Sequence, residues 1–381
     1  MPCHVTTPGR LDHPHPASLR IEWLRSPAEI EPIVTQWTAL EAAVRNRTVL
    51  STCDFLTTWY RHYTGAYGGA PLIGLAWHGT RLVGVAPLTS RRGRVGRVPM
   101  TRIEFAPNDS PVGEFLVEDG HPETVTAFLD SLVQVATFDV ICLNGFDPAS
   151  DQLPVLKNAA RKHRLAMELT DLAFAIADVR NGYHAYRSAL SGHFRRNLNQ
   201  KVRRMATVGR VVVDGVRLSE GIDAMEESIA RMIAITEASH KLKGQRLADN
   251  HRGYLSELVR RFGPRGMLSQ SILSVDGRDA AFLLGLVERR RFYDINLAYD
   301  ESFAAFSPGM LLMQKTLEDL AASGIHTVVS HGAHDYKKHW ATEFVPQKRV
   351  FLFTRGARAA AARLIRFSLA PVWRRLGRPE R

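Results

Sequence analysis

Hydrophobic residues in the first half of the chain are spaced as in alternating helices and strands. Apolar side chains that recur every three or four positions predict helices with one buried face, and short apolar runs between turn residues predict strands. We predict helices at 26–44, 54–63, 122–136 and 151–163, and strands at 71–77, 82–88, 138–143 and 165–177. The first helix opens with Ser26, Pro27 and Glu29, which have the spacing of a capping box.

The second half repeats this order of elements after a strongly basic helix. Phe194, Leu198, Val202 and Met205 form an apolar stripe along that helix. Further helices are predicted at 221–239, 252–262, 307–323 and 335–341, and strands at 267–275, 280–288, 292–297, 325–330 and 349–353. Helices, then an antiparallel meander, then strand–helix–strand is an α/β order with a mixed α+β sheet, and it occurs twice.

Length and composition are those of an ordinary globular protein. The chain has 381 residues, of which 45% are hydrophobic and 23% charged, so we expect two or three domains at roughly 150 residues each. No apolar stretch approaches the roughly 20 residues of a transmembrane helix, and the N-terminal segment lacks the apolar core of a signal peptide. We therefore expect a cytoplasmic protein whose three separated cysteines are reduced thiols.

The positive charge is concentrated in two segments. The net charge is +12, yet residues 187–210 hold seven cations and no acid, and residues 355–381 hold eight Arg against Glu380 alone. The first segment is interpreted as a solvated helix face, as a surface for phosphate or another anion, or as a nucleic-acid contact, and nucleic acid is not the partner that we expect. The second is either a basic tail packed on the protein or a peripheral contact with the inner face of an anionic membrane.

Four pieces of the second half, in this order, carry a resemblance to a known family. They are the basic segment 193–198 (HFRRNL), the turn at Asp276 and Gly277 followed by 280–282 (AAF), the run 306–312 (FSPGMLL), and Gly332 with Tyr336 and Lys337. Residues of about 180–345 resemble the acetyltransferase domain of the GNAT superfamily, in its CelD/BioF2-like (cellulose biosynthesis protein-like) branch, which is similar to the FemAB peptidoglycan aminoacyltransferases. Residues 20–175 resemble this domain more weakly.

The resemblance implies two tandem GNAT-like acyl-CoA N-acyltransferase domains. We expect a disordered segment at 1–19, a first domain at 20–177, a second, acetyltransferase domain at 178–354 and a basic tail at 355–381. The implied activity is transfer of an acyl group from coenzyme A to a nitrogen or oxygen of a sugar, a polysaccharide precursor or a small amine. The implied co-substrate is acetyl-CoA or another acyl-CoA, and no metal is expected.

The helix start at Ser307, Pro308 and Gly309 is the candidate donor site. Ser is a natural helix cap and Pro a natural first residue, and the backbone N–H groups and dipole of such a helix start suit an anion. In the family, the equivalent helix start binds the pyrophosphate of coenzyme A. This implies donor contacts from Phe306, Ser307, Pro308, Gly309 and Met310. The chain has no P-loop motif, which argues against an ATPase.

The catalytic residues are expected directly after the strand at 325–330. Acyl transfer from a thioester needs a base for the acceptor and an acid for the departing thiolate. A tyrosine beyond this strand often supplies the acid in the family, which implies that role for Tyr336, and His334 and Asp335 beside it are candidate bases. Acceptor contacts are predicted from His240, Lys241, Asn296, Tyr299 and Lys337.

The chain also departs from the family pattern at two places. Family members often carry a Trp-Lys pair near His240 and Lys241, and an acidic residue where Ser330 stands. In FemAB-like proteins the acceptor groove lies between the domains, which implies that the loop 108–113 and Glu114 line it. Two alternatives to an acyl-CoA transferase stay open: a FemAB-like transferase that uses aminoacyl-tRNA, and a non-catalytic protein of an exopolysaccharide or membrane assembly.

Overall fold

The computed structural model describes residues 19–66, 69–107, 113–216, 221–239, 248–332 and 335–370. Within these ranges the chain forms a mixed α/β structure around one large mixed sheet. In chain order the strands are β1 Arg20–Leu24, β2 Gly69–His78, β3 Arg81–Val95, β4 Val98–Phe105, β5 Leu116–Val117, β6 Val140–Phe146, β7 Ala166–Asp178, β8 Val211–Val216, β9 Leu268–Val275, β10 Arg278–Glu288, β11 Arg291–Tyr299, β12 Thr327–Ser330 and β13 Glu343–Phe353.

Helices cover both faces of this sheet. In chain order they are α1 Val34–Ala43, α2 Cys53–Tyr63, α3 Thr124–Val135, α4 Gln152–Lys162, α5 Tyr183–Ala189, α6 Gly192–Ala206, α7 Gly221–Glu237, α8 Ala248–Phe262, α9 Pro308–Ala322 and α10 Ala357–Leu364. Short 3-10 segments lie at Pro27–Ile33, Val49–Ser51, Gly263–Arg265, Glu301–Phe306 and Asp335–His339, and a π-helical turn at Ile365–Leu369 extends α10.

The first predicted helix is correct in place but not in type. Residues Pro27–Ile33 form a 3-10 segment, and the α-helix begins only at Val34. Pro32 accounts for the late start, because a proline inside an α-helix removes one hydrogen bond and clashes with the preceding turn. The predicted capping box is half right: Ser26 accepts from the backbone N–H of Ala28 at 3.3 Å, but Glu29 accepts from that of Arg25.

The hydrophobic pattern did not predict β1, β4, β5 or β8. β1 and β8 are the two edge strands of the sheet. An edge strand of five or six residues buries few side chains, and β8 leaves Val211 and Val212 partly exposed. A strand of this kind lacks the continuous apolar run by which a buried strand is recognised.

The strand order joins the two halves of the chain. The order is β1-β2-β3-β4-β6-β13-β7-β12-β11-β10-β9-β8, with β5 paired to β3. β4 runs parallel to β6, and β11 runs parallel to β12. β13, from the end of the second half, pairs with β6, and β7, from the end of the first half, pairs with β12 and β13. Each half therefore gives its last strand to the other, and the domain boundary predicted at 177/178 follows a strand in the middle of the sheet.

The second half has a hydrophobic core on each face of its sheet. On one face α7 and α8 pack on β9 to β12 together with α2 of the first half, through residues such as Phe55, Leu255 and Phe282. On the other face α5, α6 and α9 pack on the same strands, with Trp340 among them. The apolar stripe predicted along the basic helix is buried there at Phe194, Leu198 and Met205, but the prediction was wrong for Val202, which is 42% exposed.

The described part of the basic tail packs on the protein itself. In α10, Ala359 and Ala362 are buried, and the ring of Phe367 lies 5.4 Å from that of Phe351. Arg363 pairs with Glu168 of β7 at 2.6 Å. Leu364 at the end of α10 is 53% exposed. Among the described residues, no helix has the length and apolar character needed to cross a bilayer.

Candidate active site

The parallel strands β11 and β12 separate where β12 ends. They pair from Arg291 and Thr327 to Asp294 and Ser330, and β11 then continues to Tyr299 without β12 beside it. A cleft of about 290 Å³ opens at this point between β11, β12, β7, α9 and the segment 335–341. We call it the β11–β12 cleft. Five predicted site residues line it: Tyr299, Ser307, Gly309, Met310 and Lys337.

The start of α9 forms the outer end of this cleft, but Ser307 does not cap the helix as predicted. Ser307 has a left-handed backbone conformation, with φ of 56°, and its side chain makes no capping hydrogen bond. Its hydroxyl instead accepts a hydrogen bond from the ammonium group of Lys201 in α6, at 2.6 Å. Pro308 is the first residue of the helix, as predicted. A lysine that the hydrophobic pattern did not single out therefore lies at the candidate anion site.

The basic helix α6 brings further positive charge to the same place. Phe194, Leu198 and Met205 hold α6 in the core, so Lys201 lies on the edge of its buried face. Arg204, one turn further on, lies with its guanidinium 5.9 Å from the ring centre of Phe306. Cations beside a helix N-terminus add to the positive end of the helix dipole. Of the three interpretations of the basic segment, this geometry favours the anion surface.

Gly309 allows α9 to lie close to β11. A Cβ atom built at Gly309 would lie 3.1 Å from Cδ2 of Leu297, which is tighter than an ordinary van der Waals contact. Both residues line the β11–β12 cleft. In this first turn of α9 the N–H groups of Met310 and Leu311 donate to the carbonyl oxygen of Ser307, and Pro308 has no N–H group, which leaves that of Gly309 for an anion.

A carboxylate and a hydroxyl lie where the two strands diverge. Asp294 and Ser330 are opposite each other in the parallel register, and the Ser330 hydroxyl donates to Oδ2 of Asp294 at 2.9 Å. Both residues are buried. The acidic side chain that the family resemblance implied at Ser330 is thus present on the neighbouring strand. A single aspartate within the aromatic and aliphatic strand β11 (RFYDINLAY) is the sequence signal that identifies it.

The segment after β12 closes the inner side of the cleft. Lys337 is only 5% exposed, and its ammonium group donates to the carbonyl oxygen of His331. Trp340 packs edge-on against Phe194, with ring centres 5.1 Å apart, and its carbonyl accepts from the hydroxyl of Tyr186. Asp335 and Tyr336 belong to the same 3-10 segment as Lys337, but their side chains lie outside the described structure. His240, Lys241 and His334 lie outside the described residues altogether.

Asn296 lies on the opposite face of the sheet from the cleft. The register of β10 and β11 shifts between Leu284 and Gly285, which places an extra residue in β11 next to Asn296. The Asn296 amide contacts Nε2 of His251 in α8 at 3.0 Å, and Nδ1 of His251 contacts the hydroxyl of Tyr63 in α2 at 2.7 Å. The predicted acceptor residues Asn296 and Tyr299 are therefore on different faces.

The buried His251 makes stability depend on pH. Burial lowers the pKa of His251 to about 4. The unfolded chain binds this proton near pH 6.5, so the free energy of unfolding falls as the pH falls from about 6.5 to about 4, by up to roughly 3 kcal/mol. Urea unfolding of the wild type and of His251→Asn is expected to show the wild type losing about 2 kcal/mol more than the variant between pH 7 and pH 5.

The comparison of the wild type with His251→Asn isolates the contribution of His251 to the pH dependence of the unfolding free energy. Burial raises the pKa of Glu41 and of Glu114, so these two acids oppose the trend as the pH falls, but they do so equally in both proteins. Unfolding free energies of wild type and variant that run parallel between pH 7 and pH 5 would contradict the assignment.

The corresponding parallel strands of the first half, β4 and β6, carry aromatic side chains at their ends. There Phe115 fills the space beyond β4 and β6, with its ring 5.2 Å from that of Phe105 and 6.4 Å from that of Phe146. A Cβ atom at Gly113 would overlap the carbonyl oxygen of Asn144. Aromatic side chains therefore fill the space where β4 and β6 diverge.

Glu114, predicted to line an acceptor groove between the domains, lies away from the β11–β12 cleft. It accepts from the backbone N–H of Asp147 and lines a separate polar cavity of about 310 Å³ with Arg45 and Asp151. The strands between β6 and β12 are all antiparallel, so β6 and β12 end at opposite ends of the sheet. The other predicted groove residues, 108–112, lie outside the described structure.

Comparisons with known proteins agree with this architecture. A family model described as an acetyltransferase (GNAT) domain matches residues 192–338. No curated protein matches the chain. The solved structures that it resembles include a conserved protein of unknown function from Bacteroides thetaiotaomicron VPI-5482 (14% identity, TM-score 0.51, covering 88% of this chain and 100% of that one).

Two further solved structures resemble this chain over most of their own length. One is the C-terminal domain (DUF2156) of a proposed lysylphosphatidylglycerol synthetase from Agrobacterium fabrum, with 12% identity and a TM-score of 0.51 over 89% of this chain and 97% of that one. The other is FemX, with 11% identity and a TM-score of 0.52 over 91% of this chain and 98% of that one. At these identities the likeness shows the fold alone.

Proposed function

Because residues 192–338 form a GNAT-like acetyltransferase domain, we propose that this protein transfers an acyl group from coenzyme A to an amine or hydroxyl group of a sugar, a polysaccharide precursor or a small amine. The observation that carries the proposal is the β11–β12 cleft. It leads from Ser307, which accepts a hydrogen bond from Lys201, to Ser330, which donates one to the buried Asp294. Within the family, the CelD/BioF2-like branch remains the proposed assignment.

The shape and charge of the cleft suit the parts of an acyl-CoA in order. The first turn of α9, with Lys201 beside it, offers the backbone N–H group of Gly309 and an ammonium group to the pyrophosphate. Between Gly309 and Ser330 the walls are mainly apolar, as at Leu297 and Met310, and suit the pantetheine arm. The thioester then lies near Ser330, where β11 and β12 diverge.

The side chains at that point can move the protons of the reaction. The acceptor nitrogen or oxygen forms a bond to the thioester carbon, the C–S bond breaks, and the acceptor proton goes to the carboxylate of Asp294, directly or through the Ser330 hydroxyl. The thiolate leaves with the electron pair of the C–S bond and is then protonated. The ammonium group of Lys337, buried in the cleft wall, stabilises negative charge on the oxygen or sulfur.

Tyr336 remains the proposed acid for the thiolate. It adjoins Lys337, whose side chain lines the cleft, and both belong to the segment Asp335–His339. His334 and Asp335 remain proposed bases, and Asp294 is added to them as a third candidate. His240 and Lys241 remain proposed acceptor contacts. Asn296, which meets His251, would act on the side of the sheet away from α9.

A donor other than coenzyme A is the second candidate. Arg196 and Arg203 on the outer face of α6 are exposed, and a line of cations beside the donor site suits the backbone of a transfer RNA. FemX and the lysylphosphatidylglycerol synthetase domain share the fold, which is compatible with this donor. A non-catalytic role at an anionic membrane, through α10 and the basic tail, is the third candidate, and Leu364 is its exposed apolar residue.

Calorimetric titration with acetyl-CoA tests the proposal. We expect saturable binding with a stoichiometry of one per chain, because Phe115 fills the corresponding space in the first half. The affinity should fall as salt is raised, since Lys201 and the helix dipole contribute electrostatically. Failure to bind acetyl-CoA and free coenzyme A at low salt would reject the proposed donor, and a stoichiometry of two would reject the assignment of a single cleft.

A further inference from the structure

The β11–β12 cleft does not end at Ser330 and its partner Asp294. Strand β12 pairs with β7 so that Ser330 lies opposite Ala175 and Val328 lies opposite Ala177. Val328 and Ala177 also line the cleft. They are two residues further in than Ser330, or about 7 Å along the strands. The cleft therefore continues beyond the place where the proposed function puts the thioester.

The inner part of the cleft is apolar. Its walls are Leu317 of α9, Val328 of β12, Ala177 of β7 and the ring of Trp340. Met313 lies between these residues and the helix start, and its unbranched side chain adapts to different occupants. The pantetheine arm carries two amide groups that need hydrogen-bond partners, whereas these side chains offer an alkyl surface. The small alanines of β7 leave the space that a larger residue would fill.

We propose that this inner part of the cleft binds the alkyl chain of the donor, so that the preferred substrate is an acyl-CoA with several carbons beyond acetyl. The proposal rests on the proposed function, because it needs coenzyme A at the start of α9. One wall of the chain-binding pocket is β7, which the first half contributes to the sheet of the second. The first half then determines which donor the second half accepts.

A series of donors that differ only in chain length tests this inference on the wild-type protein. Acetyl-, butyryl-, hexanoyl- and octanoyl-CoA are titrated calorimetrically under identical conditions. Burial of one methylene group strengthens binding by about fourfold, so hexanoyl-CoA is expected to bind at least tenfold more tightly than acetyl-CoA. Equal or weaker binding of hexanoyl-CoA would overturn the inference.

Variants of the pocket wall locate the effect. Ala177→Leu shortens the pocket, so the advantage of hexanoyl-CoA over acetyl-CoA is expected to disappear. Leu317→Ala lengthens the pocket, so the acyl chain that binds most tightly should be longer than in the wild type. Ala360→Leu, on the exposed side of α10, is the matched control and should leave the series unchanged. A thermal unfolding curve shows that each variant is folded.

The outcomes separate this inference from the function on which it rests. If neither coenzyme A nor any acyl-CoA binds, the proposed function itself fails. If all donors bind but chain length makes no difference, only the chain-binding pocket is rejected. If the advantage of long chains persists in the folded Ala177→Leu protein and the preferred chain length does not change in folded Leu317→Ala, the chain binds elsewhere, and the assignment to β7 and α9 is rejected.

Discussion

Replacement of Gly309 by Asp is expected to weaken acetyl-CoA binding at least 100-fold. The new carboxylate would lie in the first turn of α9, where the proposed pyrophosphate accepts backbone hydrogen bonds, and two like charges would then share one site. Its Cβ atom would also lie 3.1 Å from Cδ2 of Leu297, so the Leu297 side chain would have to shift slightly. A 100-fold loss corresponds to about 2.8 kcal/mol, within the range for a lost charge-assisted contact.

A milder variant at the same site separates electrostatics from packing. Lys201→Ala removes the ammonium group that now bonds to Ser307, without adding bulk or negative charge, and is expected to weaken acetyl-CoA binding by about 10- to 100-fold. Arg203→Ala, an exposed cation on the outer face of the same helix, is the matched control and should change the affinity less than threefold. If the Gly309→Asp variant binds acetyl-CoA with the affinity of the wild type, the pyrophosphate lies elsewhere.

Asp294→Asn is expected to lower the turnover number by about 100- to 10,000-fold while acetyl-CoA binding stays within threefold of wild type. The amide keeps the size of the side chain and its contact with Ser330, but it accepts no proton from the acceptor. Since the natural acceptor is not needed for this test, hydroxylamine serves as a small nucleophile, and release of the coenzyme A thiol is measured.

The control for this variant is Asp319→Asn on α9. Asp319 pairs with Lys315 at the surface, away from the cleft, so its replacement should leave turnover unchanged. Turnover by Asp294→Asn within threefold of wild type would contradict the proposed role and would leave Asp335 or His334 as the base. A parallel loss of acetyl-CoA binding would instead indicate that Asp294 holds β11 and β12 in place.

Local patterns along the chain were enough for most helices and strands. The apolar stripe of α6, the helix start at Pro308 and the antiparallel β9–β10–β11 meander all depend on residues close together in sequence. The candidate donor residues could be predicted for the same reason, since Ser307, Gly309 and Met310 follow one another at one helix start. Their roles still await the binding measurements above.

The residues that complete the cleft come from distant parts of the chain. Lys201 and Ser307 are 106 positions apart, and their contact depends on how α6 packs beside α9. Asp294 and Ser330 meet only because β11 and β12 pair in one particular parallel register. Asn296 was predicted beside Tyr299, but the extra residue in β11 and the contact with His251 show that it belongs to the other face.

The sequence by itself therefore determined the α/β order of elements, the basic helix and the helix start that suits an anion. Only the tertiary structure decided that β7 and β13 exchange places between the halves, that Lys201 joins the helix start, and that the first half's counterpart of the cleft is filled by Phe115. The physical reason is the distance along the chain over which each of these effects acts. Periodicity and capping act over a few residues, whereas strand order, register and cavity shape arise from packing between segments that are far apart in the chain.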